Sequence, residues 1–66
     1  MIRKYRVKVA EFVMYQKPQV QEIWSEVLAY TAEDAIVTAA LRFGCYERQG
    51  PASTDWKRVV DVEPVP

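Results

Sequence analysis

The N-terminal segment of the chain alternates strictly between two kinds of side chain, and this pattern constrains the fold more than any other feature. The apolar positions of residues 4–9 are Tyr5, Val7 and Val9, and the basic positions are Lys4, Arg6 and Lys8. A period of two is typical of a half-buried β-strand. We therefore predict the first strand there. Residues 12–15 are apolar on both sides, which fits either a β-bulge that changes the register or a sheet covered on both faces.

A hairpin and one helix are predicted to follow this strand. Pro18 interrupts the apolar run, and residues 20–30 form a second β-prone segment. Thr31 precedes two acidic residues, so its hydroxyl can cap a helix that begins at Ala32. Small and apolar residues then recur at spacings of three and four up to Phe43, and Gly44 is well placed to end the helix.

Residues 45–55 are rich in glycine, proline and small polar residues and indicate a long loop, and residues 56–62 form the last predicted strand. The fold class is α+β, with the order β-β-α-β in one small domain covering residues 1–66. We favour an antiparallel three-stranded sheet in the order 2-1-3, with the helix packed on one face. A right-handed crossover that pairs the last strand parallel to the second is the alternative.

Composition argues against several classes of function. Cys45 is the only cysteine and there is no histidine, so Cys/His zinc sites and Cys-His or Ser-His catalysis are excluded. We predict a protein that is not an enzyme and holds no metal or cofactor. Nine basic and nine acidic residues cancel, which makes single-stranded nucleic-acid binding the less favoured hypothesis. No run reaches membrane-spanning length, and we expect a cytoplasmic protein that does not contact the membrane.

One helix covers one face of a small sheet, so apolar side chains are predicted to remain on the other face. The candidates for self-association there are Phe12, Met14 and Trp24. Such a patch commonly marks a protein interface or a homodimer contact. The alternative is that the loop of residues 45–55 or the terminal Val65-Pro66 segment folds over this face.

Two segments carry a resemblance to a known family. EVLAYTAEDAIVTAA is similar to a strand leading into an acidic-capped, alanine-rich helix, and WKRVVDVEPVP is similar to a last strand with a proline-containing tail. Over about residues 26–66 the chain resembles the small inhibitor that lytic podophages make against the bacterial RNA polymerase of their host. The resemblance implies a phage protein that acts in the host cytoplasm by protein binding and inhibits transcription.

In that family, basic residues of the final strand engage an acidic surface of the polymerase and prevent formation of the open promoter complex. Arg58 corresponds by position to one such arginine, whereas Val60 departs from the pattern at the second. The candidate partner-binding residues are Lys4, Arg6, Trp56, Lys57 and Arg58. For Arg58 an equal alternative is structural: with Trp56, Val60 and Val62 on one side of the strand, its stem could lie on Trp56 near Phe43 and its guanidinium could cap the helix.

Overall fold

The computed structural model of the protein describes residues 1–15, 17–47 and 55–66. Its elements are β1 (Arg3–Tyr15), β2 (Lys17–Ala29), α1 (Ala32–Arg42), β3 (Tyr46–Glu47) and β4 (Trp56–Pro64). The strands form one sheet in the order β2-β1-β4-β3. The predicted α+β fold is therefore confirmed: three antiparallel strands have the first strand in the centre, and one helix accompanies them.

Register in the sheet is set by the central strand β1. It pairs with β2 along its whole length, from Arg3 opposite Ala29 to Tyr15 opposite Lys17. On its other side β1 pairs antiparallel with β4, from Tyr5 opposite Pro64 to Phe12 opposite Trp56. The last long strand thus lies beside β1, and the alternative in which it pairs with the second strand is not formed.

Helix α1 begins and ends where local sequence signals predict. The Thr31 hydroxyl accepts a hydrogen bond of 3.1 Å from the backbone N–H of Asp34. At the other end, the N–H groups of Phe43 and Cys45 donate to the carbonyls of Ala39 and Ala40, each at 2.9 Å. Gly44 has a φ of 64°, a left-handed conformation that costs an L-residue with a side chain more than it costs glycine.

The core lies between α1 and the face of the sheet that bears the odd-numbered residues of β1. Its buried members are Tyr5, Val7, Val9, Val27, Ala29, Ala35 and Ala39, and Phe43, Cys45, Val59 and Val62 pack against them. The two alanines allow the helix to approach the strands closely. Because an 11-residue helix is only about 16 Å long, it covers one end of a molecule that extends 44 Å.

A β-bulge in β4 decides which face each of its residues occupies. Lys8 is opposite Asp61 whereas Val9 is opposite Val59, so Val60 is an extra residue in the ladder. The prediction that Val62 lies on the same side as Trp56 is wrong, because it assumed strict alternation: Val62 is opposite Val7 and Trp56 is opposite Phe12. Val59 and Val62 pack against the core, and Val60 is 45% exposed.

The predicted loop of residues 45–55 contains a short strand that the sequence analysis did not identify. Tyr46 and Glu47 pair antiparallel with Lys57 and Trp56 at the outer edge of β4. The remaining positions of this loop up to residue 54 lie outside the described residues. The second long strand also begins earlier than predicted, at Lys17.

Candidate functional site

The face of the sheet opposite the helix, here called the open face, carries the candidate site. Residues directly opposite each other on paired strands point to the same side, so the even-numbered residues of β1 define this face together with their partners. Its described members are Lys4, Arg6, Lys8, Ala10 and Phe12 from β1, Val20, Glu22, Trp24, Glu26 and Leu28 from β2, and Trp56, Arg58, Asp61 and Glu63 from β4.

The three basic residues of β1 on the open face are each paired with a carboxylate from a neighbouring strand. The nitrogen-to-oxygen distances are 3.1 Å for Lys4–Glu26, 3.1 Å for Arg6–Glu63 and 3.3 Å for Lys8–Glu22. A basic row on the central strand with acidic residues on both sides is almost neutral as a whole. The open face therefore differs from the purely positive surface that the basic row alone suggests.

A first group of aromatic and basic side chains, the Trp24 cluster, consists of Trp24, Arg6 and Lys8. The Arg6 guanidinium carbon lies 4.7 Å from the Trp24 ring centroid, and the Lys8 ammonium nitrogen lies 5.2 Å from it. Both distances are within the range of cation–π attraction. The indole is 37% exposed, so the cluster presents a large flat surface to the solvent.

A second group, the Trp56 cluster, consists of Phe12, Trp56 and Arg58. The rings of Phe12 and Trp56 are stacked, with centroids 5.9 Å apart and an interplanar angle of 16°. The Arg58 guanidinium carbon lies 4.1 Å from the Trp56 ring centroid. By register, Ala10 separates the two clusters along β1, and it is the one small side chain of that row.

The structure brings together four of the five predicted partner-binding residues. Lys4, Arg6, Trp56 and Arg58 belong to the open face. Lys57 does not: it is opposite Glu11 and Tyr46, on the side of the sheet that bears the helix. Its role in binding stays a prediction, but it cannot belong to the same surface as Arg58.

The position of Arg58 in the sheet contradicts the alternative in which its guanidinium caps the helix. The bulge at Val60 places Arg58 and Trp56 on the open face, whereas Phe43 packs on the core side. The expected contact of Arg58 with Trp56 is present, but Trp56 stacks on Phe12 instead of covering the helix end.

Two of the three predicted self-association residues, Phe12 and Trp24, lie on the open face. Met14 pairs through its backbone with Pro18 near the end of the hairpin, and its side chain lies outside the described part of the structure. The terminal segment does not fold over this face in the predicted way, since the Val65 N–H donates to the Lys4 carbonyl at 3.0 Å and extends the β-ladder.

Sequence reasoning missed the acidic half of this face, namely Glu22, Glu26, Asp61 and Glu63. A usable signal existed for two of them: the hairpin pairs residues whose numbers add to 32, which places Glu26 opposite Arg6 and Glu22 opposite Ala10. For Asp61 and Glu63 of β4 the opposite residue cannot be found by adding residue numbers in this way, because the bulge shifts the register within the strand.

Comparison of the chain with protein-family models, with curated proteins and with solved structures finds no match. In the described ranges of the chain, no helix has the length and apolar character needed to cross a membrane. Those ranges also contain no cluster of three or more metal-ligating His, Cys, Asp or Glu side chains.

Proposed function

We propose that this chain is a small protein-binding module that docks on a macromolecular partner through its open face and acts by occupying a surface, without chemistry of its own. One observation carries the proposal: the sheet face opposite the helix bears two aromatic clusters capped by arginine. Tryptophan and arginine are the residues that most often dominate the binding energy of protein interfaces. Both tryptophans of the chain and two of its arginines belong to this face.

The charges of the open face favour a protein partner over a nucleic acid. Lys4, Arg6 and Lys8 are each paired with a carboxylate of the same chain. Phosphate binding depends on cations that release counterions, and carboxylates beside those cations repel phosphate. A protein surface can exchange its own acidic groups for Glu26 or Glu63 while it packs on the indole rings.

The resemblance in residues 26–66 supplies the first candidate partner, a bacterial host RNA polymerase that a phage protein would inhibit. In this proposal Arg58 and Trp56 provide the anchor, and Arg6 and Lys4 exchange intramolecular carboxylates for acidic groups of the polymerase. Because each exchange replaces one ion pair by another, we expect the affinity to fall less steeply with salt than it would for a surface of unpaired cations.

Binding to purified bacterial RNA polymerase tests the proposal. We expect the wild-type chain to bind and to reduce open-complex formation at a promoter. Trp56→Ser should weaken binding at least tenfold, because it removes the stacking partner of both Phe12 and Arg58. Val37→Ser, an exposed position on the helix, is the matched control and should bind like the wild type. Equal affinity of the two variants, or no binding by the wild type, would contradict the proposal.

A second candidate function is a structural homodimer formed by two open faces. It is favoured by the exposure of two further apolar residues of β2 on this face, Val20 and Leu28. Sedimentation of Phe12→Ser separates the two candidates. A wild-type dimer that dissociates in this variant favours self-association through the open face, and an oligomeric state that the substitution leaves unchanged favours a foreign partner.

A further inference from the structure

The outer edge of β2 is the longest unpaired edge of the sheet in the described part of the chain. Strand β2 has 13 residues, and among the described strands it pairs only with β1. The opposite edge is interrupted in ways that oppose further pairing: β4 contains the bulge at Val60 and ends at Pro64, and β3 is two residues long. An open edge exposes backbone N–H and C=O groups that can pair with another strand.

Lys17 and Pro18 protect only the start of this edge, and the side chains after them protect it little. Val20, Ile23 and Leu28 are 57%, 60% and 63% exposed. Charged residues normally repel a second strand at such an edge, but Glu22 and Glu26 are paired with Lys8 and Lys4 of the same chain. Beyond Pro18 the edge therefore carries exposed apolar side chains, and its two carboxylates are already paired within the chain.

We propose that β2 pairs antiparallel with β2 of a second copy of this chain, about a two-fold axis that runs midway between the two Ile23 residues. This inference is independent of the proposed docking function and uses a different surface. Ile23 is the midpoint of Lys17–Ala29, so this register aligns the two strands end to end and places Pro18, which has no N–H, near the ends of the ladder. The numbers of two residues that lie opposite each other in this pairing then add up to 46.

Charge selects this register over its neighbours. An axis moved by one residue to position 22 would place Glu22 opposite its own copy, and an axis at Trp24 would place Glu22 opposite Glu26. Like charges directly opposite each other destabilise a strand pair. With the axis at Ile23, Glu22 of one copy lies opposite Trp24 of the other, beside the Arg6 and Lys8 cations that lie over that ring.

The pairing also determines how the two docking surfaces are arranged. A two-fold axis perpendicular to the sheet places both helices on one side and both open faces on the other. The two open faces thus form one continuous surface, which can contact a partner twice. A dimer would then bind such a partner more tightly than a monomer without any new contact.

Analytical ultracentrifugation of the full chain tests whether this edge forms the dimer. The wild type should sediment as a dimer at low micromolar concentration. Ile23→Lys should raise the dimer dissociation constant at least tenfold, because it places two like charges at the axis. Val60→Lys, which adds the same charge at an exposed valine on β4, should leave the dimer unchanged.

Disulfide cross-linking tests the register in a Cys45→Ala background, which removes the native thiol. Ile23→Cys should form a covalent dimer on mild oxidation, because the axis brings the two thiols together. Gln21→Cys should not, since the proposed register separates these positions by four residues, about 14 Å, which exceeds the reach of a disulfide.

Three results would overturn the inference. They are a monomeric wild type at all accessible concentrations, a dimer that survives Ile23→Lys but dissociates in Phe12→Ser, and preferential cross-linking of Gln21→Cys. The second result would place the contact on the open face. A wild-type chain that dimerises through β2 but does not bind the polymerase would contradict the docking function alone.

Discussion

At the scale of single residues, the helix ends are specified by local chemistry. Thr31 and Gly44 were predictable from the sequence because a cap depends on residues within one turn of the chain. Arg58 was not, because its surroundings depend on a register set by β1, about 50 residues earlier. Local signals thus predicted where the helix begins and ends, but not the contacts of Arg58.

The Thr31 cap can be tested by substitution. Thr31→Ala should lower the free energy of unfolding by about 1 kcal/mol, because the N–H of Asp34 loses its acceptor. Thr31→Ser keeps a hydroxyl in the same place and should cost much less. Urea denaturation followed by circular dichroism measures both variants, and equal losses would contradict the assigned cap.

Gly44 gives a second test at this scale. Its added Cβ would meet no atom within 4 Å, so Gly44→Ala introduces no steric clash with the rest of the molecule. The cost comes from the positive φ alone and should be about 1 kcal/mol. Gly44→Asn should cost less, since asparagine tolerates this conformation better. Thermal unfolding of the two variants would show the difference, and a neutral alanine variant would contradict it.

At the scale of elements, periodicity predicted the strands and the helix, and the order 2-1-3 followed from packing one helix on one face. The sequence pattern did not predict which residues of β4 face the core and which face the other side of the sheet. A β-bulge cannot be recognised in a sequence such as Val59-Val60, because the two residues are identical and either could face the core. The apolar run suggested a bulge at residues 12–15 of β1, whereas the structure places one in β4.

The bulge predicts different consequences for two adjacent valines. Val59 packs against the core whereas Val60 is 45% exposed. Val59→Ala should lower the free energy of unfolding by about 1–2 kcal/mol, and Val60→Ala should change it by less than about 0.5 kcal/mol. Chemical denaturation of both variants distinguishes the two registers. A larger loss for Val60→Ala would restore the strict alternation that the sequence suggested.

At the scale of the whole molecule, the buried core and the proposed docking surface lie on opposite faces of one sheet. The buried core lies under the helix, while the aromatic clusters and the three ion pairs lie on the open face. A domain this small has a stability of only about 3–5 kcal/mol from its core. Each buried side chain therefore carries a large share of it.

Val7 and Lys8, which are adjacent in β1, distinguish the contribution of the buried core to stability from that of the surface ion pairs. Val7, which is fully buried, should lose about 2–3 kcal/mol of unfolding free energy when replaced by alanine. Lys8→Met should change it by less than about 1 kcal/mol, because the Lys8–Glu22 pair is at the surface. Denaturant titration compares them, and a larger effect of Lys8→Met would show that the ion pairs hold the fold.

The central claim is that the open face is the docking surface. Lys57 and Arg58 test this claim most directly, because they are adjacent in sequence, carry the same charge and lie on opposite faces of the sheet. The measurement is the affinity of Lys57→Glu and of Arg58→Glu for purified bacterial RNA polymerase, with circular dichroism to confirm that both variants fold. We predict that Arg58→Glu weakens binding at least tenfold and that Lys57→Glu changes it less than threefold. Equal losses in the two variants, or a loss confined to Lys57→Glu, would contradict the claim.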